Sequence, residues 1–378
     1  MHILIYTLEF PPCRGGAGVY CRDLAKGLSD LGIQVTVLTK SYGPNDVIVD
    51  TQLPYTLLRT CVTWNPRKDA GELHRIVRKI HPDFLLVADY GAQLTVPWAH
   101  LAQSLPYAVV LFRSEIPRQF TAAETWRDYF RYRRAKHLYT NAQHLLAISR
   151  DTLSVTTQYL PHLQHKIAVV TLGIDLQPFL SFQRETALCL KSELGLNERK
   201  IILSLSRLAP HKHQDILIQA LPGLISEIPD VFLLIAGDGQ ERKRLMQLVK
   251  EKDLVKYVGF AGDIPEVMKP AYYQLSDIFA LPSVGEGFGL VYLEANICGK
   301  SVLGANSGGT PDAIADNFSG VLVNPLDVED TRQKLFRLLT DDNYRQRLEA
   351  QGYQRVLDGF TIQHMAENTL QILSKNGK

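Results

Sequence analysis

Short, continuous apolar runs rich in β-branched residues alternate with helical patterns along nearly the whole chain, and this alternation most restricts its fold. In the first half the runs are HILIYTL, IQVTVLT, DFLLVAD, YAVVLF, HLLAIS and KIAVV. In the second they are KIILSLS, VFLLIAG, VKYVG, DIFAL, SVLGA and GVLV. Apolar strands separated by helices predict parallel sheets covered on both faces. Between the first two runs, Tyr20, Leu24, Leu28 and Leu31 recur at helical spacing, and Gly32 follows as a cap.

At 378 residues the chain is too long for one ordinary core. The two series are therefore read as α/β, two Rossmann-like doubly wound domains facing a cleft, with ligand at the strand C-termini. After Asp175 the periodicity weakens through LQPFLSFQRETALCLKSELG, which places the linker near 175–185 and the domains at 1–178 and 179–361. Helical stretches near 327–341, 344–358 and 362–375 then follow one another without a strand.

Composition narrows the class. With 46% hydrophobic and 21% charged residues the chain reads as soluble and globular, and a net charge of +2 is too mild to imply nucleic acid. Five scattered cysteines without a C-x-x-C pair suit a reducing cytoplasm better than a disulfide framework or a zinc site. MHILIYTLEF lacks a basic start and a long apolar core, so it is read as a first strand and no signal peptide. The uncharged run Tyr90 to Phe112 contains Pro97, His100 and Pro106 and divides into a helix and a strand.

The chemistry concentrates in PSVGEGFGLVYLEANICGKSVLGANSGGTPDAI, Pro282 to Ile314. A Gly-Phe-Gly turn entering a helix offers free N–H groups and the positive dipole end to an anion such as a diphosphate. Glu286 before the turn and Glu294 along the helix can accept from hydroxyl groups. Read as a glycosidase pair, they should lie about 5–9.5 Å apart. Eight residues of helix span about 12 Å, which suits the two ends of an extended ligand better. In SLSRLAPHKH, Arg207 follows a strand with Lys212 five residues on, a fork and a point charge suited to a pyrophosphate.

Other features are less specific. In FPPCRGGAG, Gly15 and Gly16 let backbone approach a ligand, but the full G-x-G-x-x-G is absent, against a nicotinamide dehydrogenase. Gly237 in AGDG either floors a nucleotide site or simply turns the chain. No Asp-x-Asp motif occurs and His211-Lys212-His213 lacks acidic or cysteine partners, so no metal and no cofactor is expected. WRDYFRYRRAKHLY, Trp126 to Tyr139, is either a solvated face with its aromatics in the core or a surface for anionic lipid or an acidic acceptor.

On the E-x7-E arrangement from Glu286 to Glu294, the GGTPDAI segment, SRLAPHK and FPPCRGGAG, the chain resembles the retaining GT-B glycosyltransferases of family four along essentially its whole length. The resemblance implies that Arg207 and Lys212 hold the diphosphate and offset charge on the departing nucleotide. It implies that amides of Phe288, Gly289 and Leu290 hold the same phosphates, that Glu294 binds ribose hydroxyls and that Glu286 contacts the transferred sugar. By the same resemblance Gly16 and Gly237 border the donor, Phe260 and Ala261 lie beside the base, and residues 362–378 return to the first domain. The implied donor is UDP-glucose first and GDP-mannose second. The implied acceptor is a glycan or lipid-linked hydroxyl; separately, the basic aromatic run at residues 126–139 makes peripheral contact with the inner membrane face one expectation for a cytoplasmic enzyme. Arg113 stands where members commonly have a histidine, His213 where a glycine is usual and Leu172 where an asparagine is usual. Gly15 and Arg113 are assigned to the acceptor side. A guanidinium cannot act as a general base, so a non-catalytic nucleotide-sugar-binding protein is the alternative.

Overall fold

The computed structural model describes residues 1–13, 15–43, 46, 53–61, 63, 65–99, 101, 105–120 and 125–375. The chain forms two compact units, Met1–Gly173 with the segment from Ile362 onward, and Ile174–Thr361.

The first unit is built on a seven-stranded parallel sheet of β1 (His2–Tyr6), β2 (Gln34–Lys40), β3 (Thr56–Thr60), β4 (Phe84–Val87), β5 (Tyr107–Leu111), β6 (His144–Ala147) and β7 (Ile167–Val169). Its order is β3-β2-β1-β4-β5-β6-β7. Strands β1, β4 and β5 are buried throughout, as their unbroken apolar runs require. β3 is absent from the apolar runs because it is an edge strand paired only to β2, and its TLLRT side chains are half-covered.

The helix Gly16–Asp30 buries Tyr20, Leu24 and Leu28, but Leu31 is its C-terminal cap and 37% exposed, so it leaves the predicted stripe. Gly27 faces the returning helix Ile362–Leu373, where a Cβ would stand 2.5 Å from the Ile362 carbonyl oxygen. Only a glycine admits that approach. The stretch Tyr90 to Phe112 contains the helix Tyr90–Thr95, a 3-10 turn at Val96–Trp98 and β5. Among the described residues no helix is long and apolar enough to cross a membrane.

The second unit carries six parallel strands, β8 (Lys200–Leu205), β9 (Val231–Ala236), β10 (Val258–Gly262), β11 (Ile278–Leu281), β12 (Ser301–Ala305) and β13 (Val321–Val323), in the order β10-β9-β8-β11-β12-β13. β10 starts at Val258, so the VKYVG run enters the sheet only at its end. Where the periodicity fades, short helices occupy Gln177–Leu180 and Arg184–Glu193. They bury little beyond Ala187, and Leu188 is exposed, so no apolar stripe was needed. Helices Val328–Thr340 and Asp342–Gly359 close the unit, and Ile174 N–H donates to the Phe360 carbonyl at 2.9 Å where the chain enters and leaves it.

Each sheet reverses its direction of growth once, between β1 and β4 and between β8 and β11. At such a switch point the following loops part, leaving a crevice at the strand C-termini.

Candidate functional site

In the second unit the switch point brings together the loops after β8 and β11. Val284 N–H donates to the His211 carbonyl at 2.8 Å, joining them through backbone. Across this junction Lys212 Nζ lies 2.5 Å from Glu286 Oε2, both side chains largely covered. Burial alone would raise the Glu286 carboxyl, but the Lys212 ammonium outweighs it and holds Glu286 below the usual carboxylate range. His211, beside them, is pushed below its ordinary value by burial first and by Lys212 next.

The glycines around this pair are packing necessities. The loop Glu286–Phe288 rests on the GGT segment, where Gly309 N–H donates to the Glu286 carbonyl at 2.7 Å. A Cβ on Gly309 would lie 2.1 Å from the Gly287 carbonyl oxygen. Gly289 caps the helix Leu290–Ile297 with φ 106°, and no side chain caps its amides. The first N–H groups of a helix have no intrahelical acceptor, so these donors point beyond Phe288 and Gly289. The Phe288 ring is buried against Phe360, with centroids 6.1 Å apart, so only its backbone is available to a ligand.

Arg207 is exposed on the loop after β8. Gly237 and Gly239 hold that loop, since Cβ atoms there would stand 1.9 Å from the Ser206 carbonyl oxygen and 2.3 Å from that of Leu208. Gly237 thus positions the arginine loop by close backbone approach. At the end of β10 the register shifts between Phe260 and Gly262, leaving Ala261 in a bulge. Such a bulge re-aims side chains at a sheet edge.

Glu294 is 7% exposed and no solvated helix residue. Its Oε2 accepts from Tyr273 Oη at 2.7 Å, and its Oε1 lies 3.6 Å from Lys269 Nζ. Burial works against the charge on Lys269, but Glu294 and Glu266 reverse this and raise its pKa. Neither partner was evident in the sequence, because both lie on a separate helix, Lys269–Leu275.

In the first unit, the switch point joins the loops after β1 and β4. Thr7 Oγ1 donates to Asp89 Oδ2 at 2.5 Å, and the same carboxylate caps the helix Tyr90–Thr95. Gly15 lies close to Glu9, where a Cβ would meet Oε2 at 2.9 Å, whereas Gly16 opens the next helix with space around it. After β5, Arg113 has φ 82° and is ion-paired with Asp151. Glu115 accepts from Phe112 N–H at 2.5 Å and is buried, which pushes its carboxyl up to about 7. The basic helix spans Trp126–Asn141. Its aromatics divide: Tyr139 is buried, while Trp126, Tyr129 and Phe130 are 67%, 50% and 48% exposed. The reading that sends its aromatics to the core therefore holds for only part of the helix.

Both halves match known families. Residues 14–178 match Glycosyltransferase Family 4, and residues 190–355 match Glycosyl transferases group 1. The chain belongs to the family-four, group 1 glycosyltransferases. A GDP-mannose-dependent alpha-(1-6)-phosphatidylinositol monomannoside mannosyltransferase of Mycolicibacterium smegmatis is 33% identical over 192 residues, covering 49% of this chain and 50% of the relative. The match thus spans about half of that relative's length. A D-inositol 3-phosphate glycosyltransferase of Segniliparus rotundus is 27% identical over 369 residues, covering 89% of this chain and 79% of the relative. The crystal structure of Anabaena Alr3699/HepE in complex with UDP and glucose superposes with TM-score 0.81 at 22% identity over 100% of both chains. The fold of this family-four chain is therefore GT-B.

Two departures from the family pattern now have a backbone context. His213, where a glycine is usual, sits at φ 50°, in the left-handed region that a glycine enters without strain. Arg113, where a histidine is common, is also left-handed and is tied to the first turn of the helix Arg150–Tyr159 through Asp151.

Proposed function

We propose that this family-four chain is a retaining, metal-independent hexosyltransferase that moves a sugar from a nucleoside diphosphate donor to an acceptor hydroxyl. The observation that carries the reading is the Lys212–Glu286 pair beside the uncapped start of the helix Leu290–Ile297. A diphosphate there competes for the lysine and meets Arg207 and the free amides, all of which stabilise charge as it grows on the leaving phosphate. The bond from the anomeric carbon to the phosphate oxygen breaks and the bond to the acceptor oxygen forms on the same face. The acceptor proton passes to the departing phosphate oxygen, so no side-chain base is required. Glu286, kept anionic by Lys212, contacts the transferred sugar, and Glu294 takes the ribose hydroxyls.

Two donors head the panel. GDP-mannose is named for relatives at 33–34% identity over part of the chain, and UDP-glucose occupies a 20% identical structure of the same fold. A phospholipid-linked or glycan acceptor accords with the named mannosyltransferases. The exposed Trp126, Tyr129 and Phe130, with Arg133 on the same helix face, suit an anionic membrane surface, and we assign the enzyme to the cytoplasmic face. Incubation with each donor, followed by nucleotide release, tests the activity. A non-catalytic sugar-nucleotide binder is favoured by the engagement of Arg113 with Asp151, and it predicts tight binding without release over hours.

A further inference from the structure

Lys269 breaks a local rule. It is the first residue of the helix Lys269–Leu275, where the helix dipole disfavours a cation, and its side chain is only 16% exposed. A lysine at that position ordinarily reaches into water. Here it stays inside, next to Glu294, whose own side chain is 10% exposed. Tyr273, one turn on along the same helix and fully buried, donates to the other oxygen of that carboxylate. One helix thus presents two groups to Glu294, a hydrogen bond from Tyr273 and a charge from Lys269.

The two contacts differ in kind. The Tyr273 bond, at 2.7 Å, is closed. The Lys269 contact, at 3.6 Å, is too long for a hydrogen bond, although the charges are paired. Glu266 takes one ammonium proton at 2.9 Å, and the ammonium carries three. A hydroxyl lodged between Lys269 and Glu294 donates to the carboxylate and accepts from the ammonium, satisfying both of its roles. A carboxylate alone tests only for a donor, whereas the pair tests for a group that is donor and acceptor at once.

Resting on the reading of Glu294 as the ribose acceptor, we propose that Lys269 is a specificity-determining residue of the donor site. Its ammonium donates to the ribose hydroxyl oxygen whose proton goes to Glu294, and the pair thereby selects ribonucleotides over deoxyribonucleotides. A site built to bond a hydroxyl rejects the analogue that lacks it, because its own buried groups are left unpaired.

The test is calorimetric binding to the full chain of UDP and GDP, each beside its 2′-deoxy and 3′-deoxy counterpart, with inorganic pyrophosphate as a further probe. For the diphosphate that binds, the wild type should prefer the ribonucleotide over one deoxy form by about tenfold or more. Lys269→Met should bring that ratio to within about threefold with pyrophosphate affinity retained, which also reports an intact fold, and Lys269→Arg should restore much of the ratio. An unaltered ratio in a Lys269→Met protein that still binds pyrophosphate overturns the role of Lys269 alone. Failure of the wild type to bind either diphosphate overturns the donor-site reading and this inference with it.

Discussion

Lys212 Nζ sits 2.5 Å from Glu286 Oε2, and these two residues come from loops after strands that are neighbours in the sheet but far apart in the chain. The pair keeps Glu286 ionised in a covered setting and holds a cation at the start of the helix Leu290–Ile297. Lys212→Ala should therefore lower kcat/KM for nucleotide release by about a hundredfold, the scale of removing one charge-stabilising donor. It also leaves a covered carboxylate unpaired, so the melting temperature should fall moderately. Release at wild-type rates from a folded Lys212→Ala protein would remove the lysine from the phosphate clamp.

Two glycines should respond in opposite ways. Gly237→Ala places a methyl 1.9 Å from the Ser206 carbonyl oxygen at φ 122°, so it should cost about 3 kcal/mol and weaken donor binding by displacing the Arg207 loop. Gly16→Ala meets nothing within 4 Å and should change stability by less than about 0.5 kcal/mol. Denaturant melts of both variants check the contrast, and similar losses in the two would contradict it.

Glu115 should make stability fall as pH rises. Burial lifts its folded carboxyl to about 7 from its ordinary value of 4.5, so between those values the folded state holds more proton than the unfolded one. The sign is the reverse of an ion-paired carboxylate: the contribution is full below the unfolded value and lost on rising through the folded one. Across that window it amounts to about 3 kcal/mol. Melting temperatures at pH 5.5, 6.5 and 7.5 should decline in the wild type and flatten in Glu115→Gln. Equal slopes in the two proteins would rule out Glu115 as the source.

The exposed aromatic face of the helix Trp126–Asn141 should bind lipid. Replacing Trp126, Tyr129 and Phe130 together by Ala should abolish co-sedimentation with vesicles containing phosphatidylglycerol at low salt. Donor hydrolysis in solution should stay unchanged, since these residues are placed outside the donor site. Co-sedimentation that survives the triple replacement would assign any lipid binding to another surface.

Much of the candidate site was legible from EGFGLVYLE and SRLAPHKH, because glycine turns, helix starts and charged residues are local signals. The supports of those residues were not. Gly308 and Gly309 underlie Glu286 through backbone approaches that no side-chain pattern encodes. Lys269 resembles an ordinary solvated lysine until Glu294 stands beside it. Asp151 acquires meaning only through its pairing with Arg113. β3 escaped detection because an edge strand needs no continuous apolar run.

By itself the amino-acid sequence determined the buried strands of both series and that each series forms a parallel sheet, since burial on two faces is written in apolar periodicity. It also determined that a helix begins after the glycine turn at Gly289–Leu290. Only the tertiary structure decided which loops meet. Strand order brings the loops after β8 and β11 together, and with them Lys212 and Glu286, while the helix Lys269–Leu275 delivers Lys269 and Tyr273 to Glu294. The reason is physical: periodicity reports each segment's own burial, whereas a site is made by segments distant in the chain that packing forces into contact.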